Sequence, residues 1–285
     1  MKIFLRSILI LLVLLFLPAQ SFAQDWWEKN MIIVQGSGFG EQARRAAVVD
    51  AYRSLAEQVK GVHITAETTI ESQIISGDIV QAKVNAVIRG AEILSEEFKD
   101  DGSCVVTVGL PVYGKNSVAS IAFKPAPKKN FPAPKNFSAA KGNYTGLVID
   151  CGDFNLKPVL APVVRSADNQ AVYSSENLDY DKLVAGGVVG FAVNKSVAKK
   201  ISLLSYSAQI ENKILLLTST NAENNLSRAG NNPLVVKAAA LSDDNSCPVV
   251  SAEDADKILS ENLSSHFLDN GSVVFTGYRV GGIRV

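Results

Sequence analysis

The chain has 285 residues, and its 28 lysines and arginines balance its 28 aspartates and glutamates. This balance gives no general case for nucleic-acid binding, which requires a basic patch or a basic domain. The length is sufficient for two modest domains, each of which can bury a hydrophobic core of its own.

The chain begins with the three-part pattern of a secretory signal peptide. Lys2 and Arg6 form a positive start, residues 8–17 are an unbroken apolar run, and a small-x-small cleavage sequence follows. The pattern predicts cleavage between Ala23 and Gln24 and export to the periplasm. An uncleaved anchor is disfavoured, because a spanning helix needs about 20 apolar residues. No cysteine follows the run, so no lipid attachment is expected and association with the outer membrane stays open.

Residues 25–122 are predicted to form a first domain with the element order β-α-β-α-β-β. Strands are expected at residues 31–34, 62–70, 91–99 and 103–112, and helices at residues 41–60 and 78–90. Asp100, Asp101 and Gly102 form the hairpin turn between the last two strands. This order predicts an α+β fold of two layers, with two helices packed on one face of a mainly antiparallel sheet.

Three glycines, Gly36, Gly38 and Gly40, are predicted to form a turn after the first strand. Their spacing is similar to the start of a dinucleotide-binding motif, which requires glycine or alanine where this chain has Glu41. A glutamate there would repel a pyrophosphate, whereas at the start of a helix it complements the helix dipole. No cofactor is therefore predicted.

Residues 123–143 are rich in proline and lysine and contain no acidic residue. This composition predicts a semi-extended, solvated linker. Weak contact with anionic wall polymer or lipid headgroups is the alternative. Residues 144–285 are predicted to form a second domain, α/β or α+β, whose strand order the pattern does not determine. Its expected elements include strand-like runs within 201–219, a helix that Ser251 caps, and a final strand at 272–279.

No catalytic or metal-ligating arrangement is evident, so no enzyme activity, catalytic residue or metal site is predicted. His63 and His266 belong to no catalytic or metal-binding motif. Asp150 and Asp153, at the end of a predicted strand, are the acid pair with the best case for a function, because strand ends often carry functional residues.

Three cysteines in an oxidising compartment favour one disulfide and one free thiol. Cys151 and Cys247 lie in the second half of the chain and are the expected pair, whereas Cys104 is expected to be a buried free thiol.

The consecutive Trp26 and Trp27 are expected to anchor the first domain, with a membrane-interface or partner contact as the alternative.

Residues 43–62, ARRAAVVDAYRSLAEQVKGV, resemble the LPP-twenty family of bacterial envelope lipoproteins. They are also similar to the N-terminal domain of the flagellar assembly proteins FlgT and FlgP, and the resemblance continues to residue 114. The motif residues that carry it are Ala43, Arg44, Arg45, Asp50, Tyr52, Arg53 and Gly61. The resemblance implies an envelope location, no catalytic residues, and protein–protein assembly around the basal body in the flagellar branch.

The export signal and the resemblance together predict a non-enzymatic periplasmic module with a structural or assembly role. Its expected partners are envelope or flagellar basal-body proteins. Self-association is a further possibility, and nucleic acid is not expected as a partner. The alternatives are a ligand- or wall-binding module that uses the lysine-rich linker, and a hydrolase that uses Asp150 and Asp153.

Overall fold

The computed structural model describes residues 26–75, 78–137, 139–140, 142–152, 154–192 and 227–277. Helices and sheets are mixed, and the three-stranded sheet of the first part of the chain is antiparallel, so the predicted α+β class is confirmed. Within these ranges, no helix has the length and apolarity to cross a membrane. The predicted signal peptide and its cleavage site at Ala23 and Gln24 lie outside them.

The first group of elements contains five helices and three strands among the described residues. In chain order they are α1 (Trp26–Lys29), β1 (Met31–Phe39), α2 (Ala43–Lys60), α3 (Ile70–Ile75), α4 (Asp78–Arg89), β2 (Glu92–Phe98), β3 (Ser103–Pro111) and α5 (Val118–Ala122). The strands form one sheet in the order β1-β3-β2, in which β3 is central and both pairings are antiparallel. Gly102 turns the hairpin with a φ of 81°, and its N–H donates to the Lys99 carbonyl, as the sequence predicts.

The predicted glycine-rich turn is wrong, because β1 continues through Phe39. Gly36 and Gly38 therefore lie inside the strand, under helix α2. A Cβ atom added at Gly36 would collide with backbone atoms of Ala47 and Ala51, and one at Gly38 would collide with the Ala43 carbonyl. The missing side chains thus let α2 lie directly on β1.

The predicted strand at residues 62–70 is also wrong. This segment holds a single bridge between His63 and Thr69, and Ile70 already begins α3. The side chain of Thr69 accepts from the Ser72 amide at 3.2 Å, while the Ser72 hydroxyl accepts from the Thr69 amide at 3.0 Å. This reciprocal capping starts a helix where the alternation of side chains alone favoured a strand.

The second group of elements contains eight strands and two α-helices among the described residues. They are β4 (Gly146–Asp150), β5 (Val164–Ser166), β6 (Ala171–Tyr173), α6 (Tyr180–Gly186), β7 (Gly190–Ala192), β8 (Pro233–Lys237), β9 (Ala240–Ser242), β10 (Cys247–Val250), α7 (Ala252–Ser265) and β11 (Val273–Thr276). One sheet has the order β7-β11-β4-β8 and is parallel throughout, and the other has the order β6-β5-β10-β9. Ser251 caps α7 as predicted, accepting from the Asp254 amide at 3.0 Å. The final strand predicted at residues 272–279 is present as β11, although residues 278 and 279 lie outside the described residues. The runs expected within 201–219 also lie outside them.

Backbone hydrogen bonds join the two groups directly. The amides of Leu160 and Ala161 donate to the carbonyls of His63 and Ile64 at 3.1 and 2.7 Å. Most buried hydrophobic residues of both groups form one continuous core, and Ala192, Ala229 and Val274 form a small separate cluster. The fold therefore depends on contacts between the predicted domains as well as within them.

The described part of the linker predicted at residues 123–143, here called the connecting segment, has no helix or strand, as predicted, but it is docked rather than free. Asp256 on α7 accepts from the Lys135 and Asn136 amides at 2.7 and 3.0 Å. The Phe131 ring stacks on Tyr173 with 6.4 Å between ring centroids. The segment is thus held to the second group by hydrogen bonds and by aromatic packing.

Candidate functional site

Three of the family motif residues make specific contacts inside the first group. Arg44 donates to Glu96 on β2 through Nε at 2.7 Å and through Nη2 at 2.5 Å. This hydrogen-bonded pair lowers the pKa of Glu96 and raises the pKa of Arg44. Asp50 accepts from the Ser37 amide at 3.0 Å, and the Tyr52 hydroxyl donates to the Ala91 carbonyl at 3.1 Å. These side chains tie α2 to the sheet and to the end of α4.

Two further motif residues lie at the two ends of α2. Ala43 is buried at the start of α2, where its backbone carbonyl lies against Gly38. Gly61 ends α2, and its N–H donates to the Glu57 carbonyl at 3.1 Å. Both residues therefore serve the packing and the ending of α2.

The remaining motif residues, Arg45 and Arg53, are exposed, and neither is paired within the described part of the chain. They line a shallow groove of about 390 Å³ on the outer face of α2, opposite the stripe that packs on the sheet. The other lining residues are Gln42, Ala46, Val49 and Asp50. The Val49 side chain is 54% exposed, so the groove joins apolar surface to two unpaired guanidinium groups.

The groove follows from the geometry of the helix. The buried stripe is spaced four residues apart, as Ala43, Ala47, Ala51, Leu55 and Val59. Sequence reasoning assigned Val48 to that stripe, whereas it is only partly buried and alanines occupy the contact with β1. The signal for the groove was present, because Gln42, Ala46, Val49 and Arg53 are spaced four, three and four residues apart, as on one face of a helix.

The disulfide predicted between Cys151 and Cys247 is not present in the structure. All three cysteines are free and buried, and Cys104 is a buried thiol as predicted. Cys151 follows β4 in the parallel sheet, whereas Cys247 begins β10 in the other sheet and accepts from the Val163 amide at 3.3 Å. Burial, and then the Asp150 charge, raise the pKa of Cys151 to about 12, and burial also raises the pKa of Cys247.

The hydrolase alternative rests on Asp150 and Asp153, and Asp150 has a structural role. Asp150 ends β4, where its Oδ1 accepts from the Gly152 amide at 2.9 Å and from the Thr276 hydroxyl at 3.4 Å. Asp153 lies outside the described residues. Within those residues, no group of three or more histidine, cysteine, aspartate or glutamate side chains has the geometry to hold a metal ion.

The other residues singled out in the sequence are placed as follows. His63 and His266 are both exposed, and His266 Nδ1 lies 3.5 Å from an oxygen of Asp269. Trp26 is buried in the core and α1 packs on β1, which supports the predicted anchoring role. The side chain of Trp27 lies outside the described part of the structure.

The fold is that of a two-part α+β protein, whose first part is a small antiparallel sheet covered by helices on one face. Two family models match separate parts of the chain. Residues 34–111 match the model of the LPP20 lipoprotein family, so the predicted family resemblance is confirmed there and indicates an envelope protein. Residues 146–276 match the model of the second domain of Tp0624 from Treponema pallidum. No curated protein matches the chain. The similarity to FlgT and FlgP stays a prediction.

Proposed function

We propose that this protein is an exported, non-enzymatic module of the periplasm that assembles with other envelope proteins through its first domain. The groove on α2 carries the proposal. It lies within the residues that match the LPP20 family, and an exposed valine lies between two arginines there. Arginine beside exposed apolar surface is enriched in protein interfaces.

The location in the periplasm is supported by the signal-peptide pattern that ends at Ala23. The family match supports the envelope more broadly, since the matched family consists of lipoproteins. A flagellar role is the narrower version of the proposal, and it rests on the resemblance to FlgT and FlgP alone.

The wall-binding alternative depended on free lysines in the connecting segment. Three of these lysines instead lie against carboxylates of the second group, where Lys128, Lys129 and Lys135 meet Asp269, Glu176 and Asp168. Their charge is largely compensated, which weakens attraction to an anionic polymer. The hydrolase alternative has less support still, because the Asp150 carboxylate already accepts a hydrogen bond from the Gly152 amide in the turn after β4.

Site-specific photocrosslinking in living cells tests the proposal. Val49 is replaced by benzoylphenylalanine in the full chain, and adducts are identified by mass spectrometry after cell fractionation. We expect adducts with envelope proteins in the periplasmic or membrane fraction. A basal-body component among these adducts would support the flagellar version.

Val235 on β8 is the matched control, because its side chain is also an exposed valine at 62%. The proposal requires adducts at position 49 that do not form at position 235. Equal adducts at both positions, or none at position 49, would show that the groove is not an assembly surface.

A further inference from the structure

We propose that the groove on α2 binds an acidic amphipathic α-helix of a partner protein, an inference that rests on the proposed assembly function. The groove residues Gln42, Ala46, Val49 and Arg53 repeat at intervals of four, three and four. This spacing forms a nearly straight seam along a helix, on which a second helix packs at a small crossing angle. The outer face of α2 therefore has the residue spacing of one half of a helix pair.

The centre of the groove suits close packing. Ala46 is small and exposed, and the Val49 side chain is 54% exposed beside it. Packed helices lie roughly 8–10 Å apart, and a small residue at the contact permits the shorter distance. A leucine or isoleucine of the partner would cover Val49 and remove its apolar surface from water.

The charge of the groove selects an acidic partner. Arg45 and Arg53 are eight residues apart, which corresponds to about 12 Å along the helix axis. Carboxylates two helical turns apart on the partner would meet both guanidinium groups, and arginine binds carboxylates through paired hydrogen bonds. The acid in the groove, Asp50, already accepts from the Ser37 amide.

The apolar centre favours a helix over an anionic wall polymer. A polymer of charged units would use Arg45 and Arg53 alone and would leave Val49 exposed to water. A helix with acidic flanks and an apolar seam satisfies both features at once. Binding should therefore depend on Val49 as well as on the two arginines.

The test uses the mature full chain and three synthetic helical peptides of about two heptads. The first has leucine at the seam positions and glutamate on the flanks, the second replaces each glutamate with lysine, and the third keeps the glutamates but replaces each leucine with serine. Binding is measured by fluorescence anisotropy at low and at physiological salt, and soluble peptidoglycan fragments serve as competitors.

We expect only the leucine–glutamate peptide to bind. The double variant Arg45→Gln, Arg53→Gln should weaken its affinity at least about tenfold, as expected for the loss of two charge-assisted contacts. Val49→Asp should abolish binding. The double variant Lys83→Gln, Arg89→Gln on α4 is the matched control, because it removes the same charge from exposed positions and should leave the affinity unchanged.

Several outcomes would overturn the inference: equal binding of the lysine peptide, equal binding of the serine peptide, displacement by peptidoglycan fragments, or no binding. Crosslinks at position 49 without peptide binding would leave the assembly function standing and remove the acidic helix as its partner. Peptide binding without crosslinks would support the chemistry of the groove and count against the assembly function.

Discussion

Cys151 and Cys247 illustrate at the residue scale how placement determines reactivity. Both lie in the second half of the chain, but their sheets differ and both side chains are buried. The thiolate is the reactive form of cysteine, and burial raises the pKa of both thiols. They are therefore expected to be unpaired and slow to react in the folded protein.

Counting of thiols by alkylation checks this expectation. The protein is treated with iodoacetamide in denaturant without reductant, and the mass is measured. We expect three alkylated cysteines, because the structure contains three free thiols. In the folded protein at pH 8, alkylation should be slow at all three. A single modified cysteine in denaturant would instead establish a disulfide.

Packing of α2 on β1 dominates the first group at the element scale. The helix touches the strand along Gly36 and Gly38, where any side chain meets helix backbone. Glycine here serves close approach rather than a left-handed conformation, since neither residue has a positive φ. The spacing that is similar to a nucleotide-binding loop is thus explained by helix–strand contact.

Substitution at these glycines should destabilise the fold. Gly36→Ala and Gly38→Ala should each lower the free energy of unfolding by at least about 1–3 kcal/mol, because overpacking against backbone forces the helix away from the strand. Equilibrium unfolding in urea measures the change.

Gly90→Ala is the matched control for this series. An added Cβ at Gly90 meets its nearest atom, the Val87 carbonyl oxygen, at 3.4 Å, and the residue has no positive φ. Its stability should change little. Similar losses at all three glycines would contradict the close-packing explanation.

At the scale of the whole molecule, the connecting segment links the two groups while lying on the second. Burial acts to raise the pKa of Asp256, but hydrogen bonds from the Lys135 and Asn136 amides and from the Asn136 side chain lower it overall. Asp269 behaves in the same way, with burial opposed by hydrogen bonds from Lys128 and Asn262. Both carboxylates therefore stabilise the folded state when they are ionised.

The sign of the pH dependence follows from these lowered pKa values. The stabilisation is present above the ordinary carboxyl pKa of 3.8, and it is lost as the pH falls from there towards the lower folded values. The free energy of unfolding should thus decline in acid, and Asp256→Asn should reduce both the stability at pH 7 and this decline. Urea unfolding between pH 7 and pH 2 measures both quantities.

Glu57→Gln is the control, since it removes a carboxylate from an exposed position of α2 that is not at the start of the helix. It should leave the acid dependence close to that of the parent protein. An unchanged pH profile in Asp256→Asn would contradict the docking of the connecting segment through this residue.

Much of the first domain could be predicted because its signals are local. The α2 helix, the α4 helix and the β2–β3 hairpin follow from apolar periodicity and from a turn sequence that Gly102 completes. The segment at residues 62–70 could not be predicted by periodicity, because capping by Thr69 and Ser72 outweighs a short alternation.

The sequence by itself determined the fold class, the family resemblance of the first domain, and the motif residues of α2. Only the tertiary structure decided what those residues do, because Arg44, Asp50 and Tyr52 find partners outside α2 whereas Arg45 and Arg53 find none among the described residues. Periodicity reports which face of a helix is apolar, but not which neighbour covers it. The free cysteines and the docked connecting segment depend on such long-range contacts, whereas the groove follows from the spacing of residues along one helix.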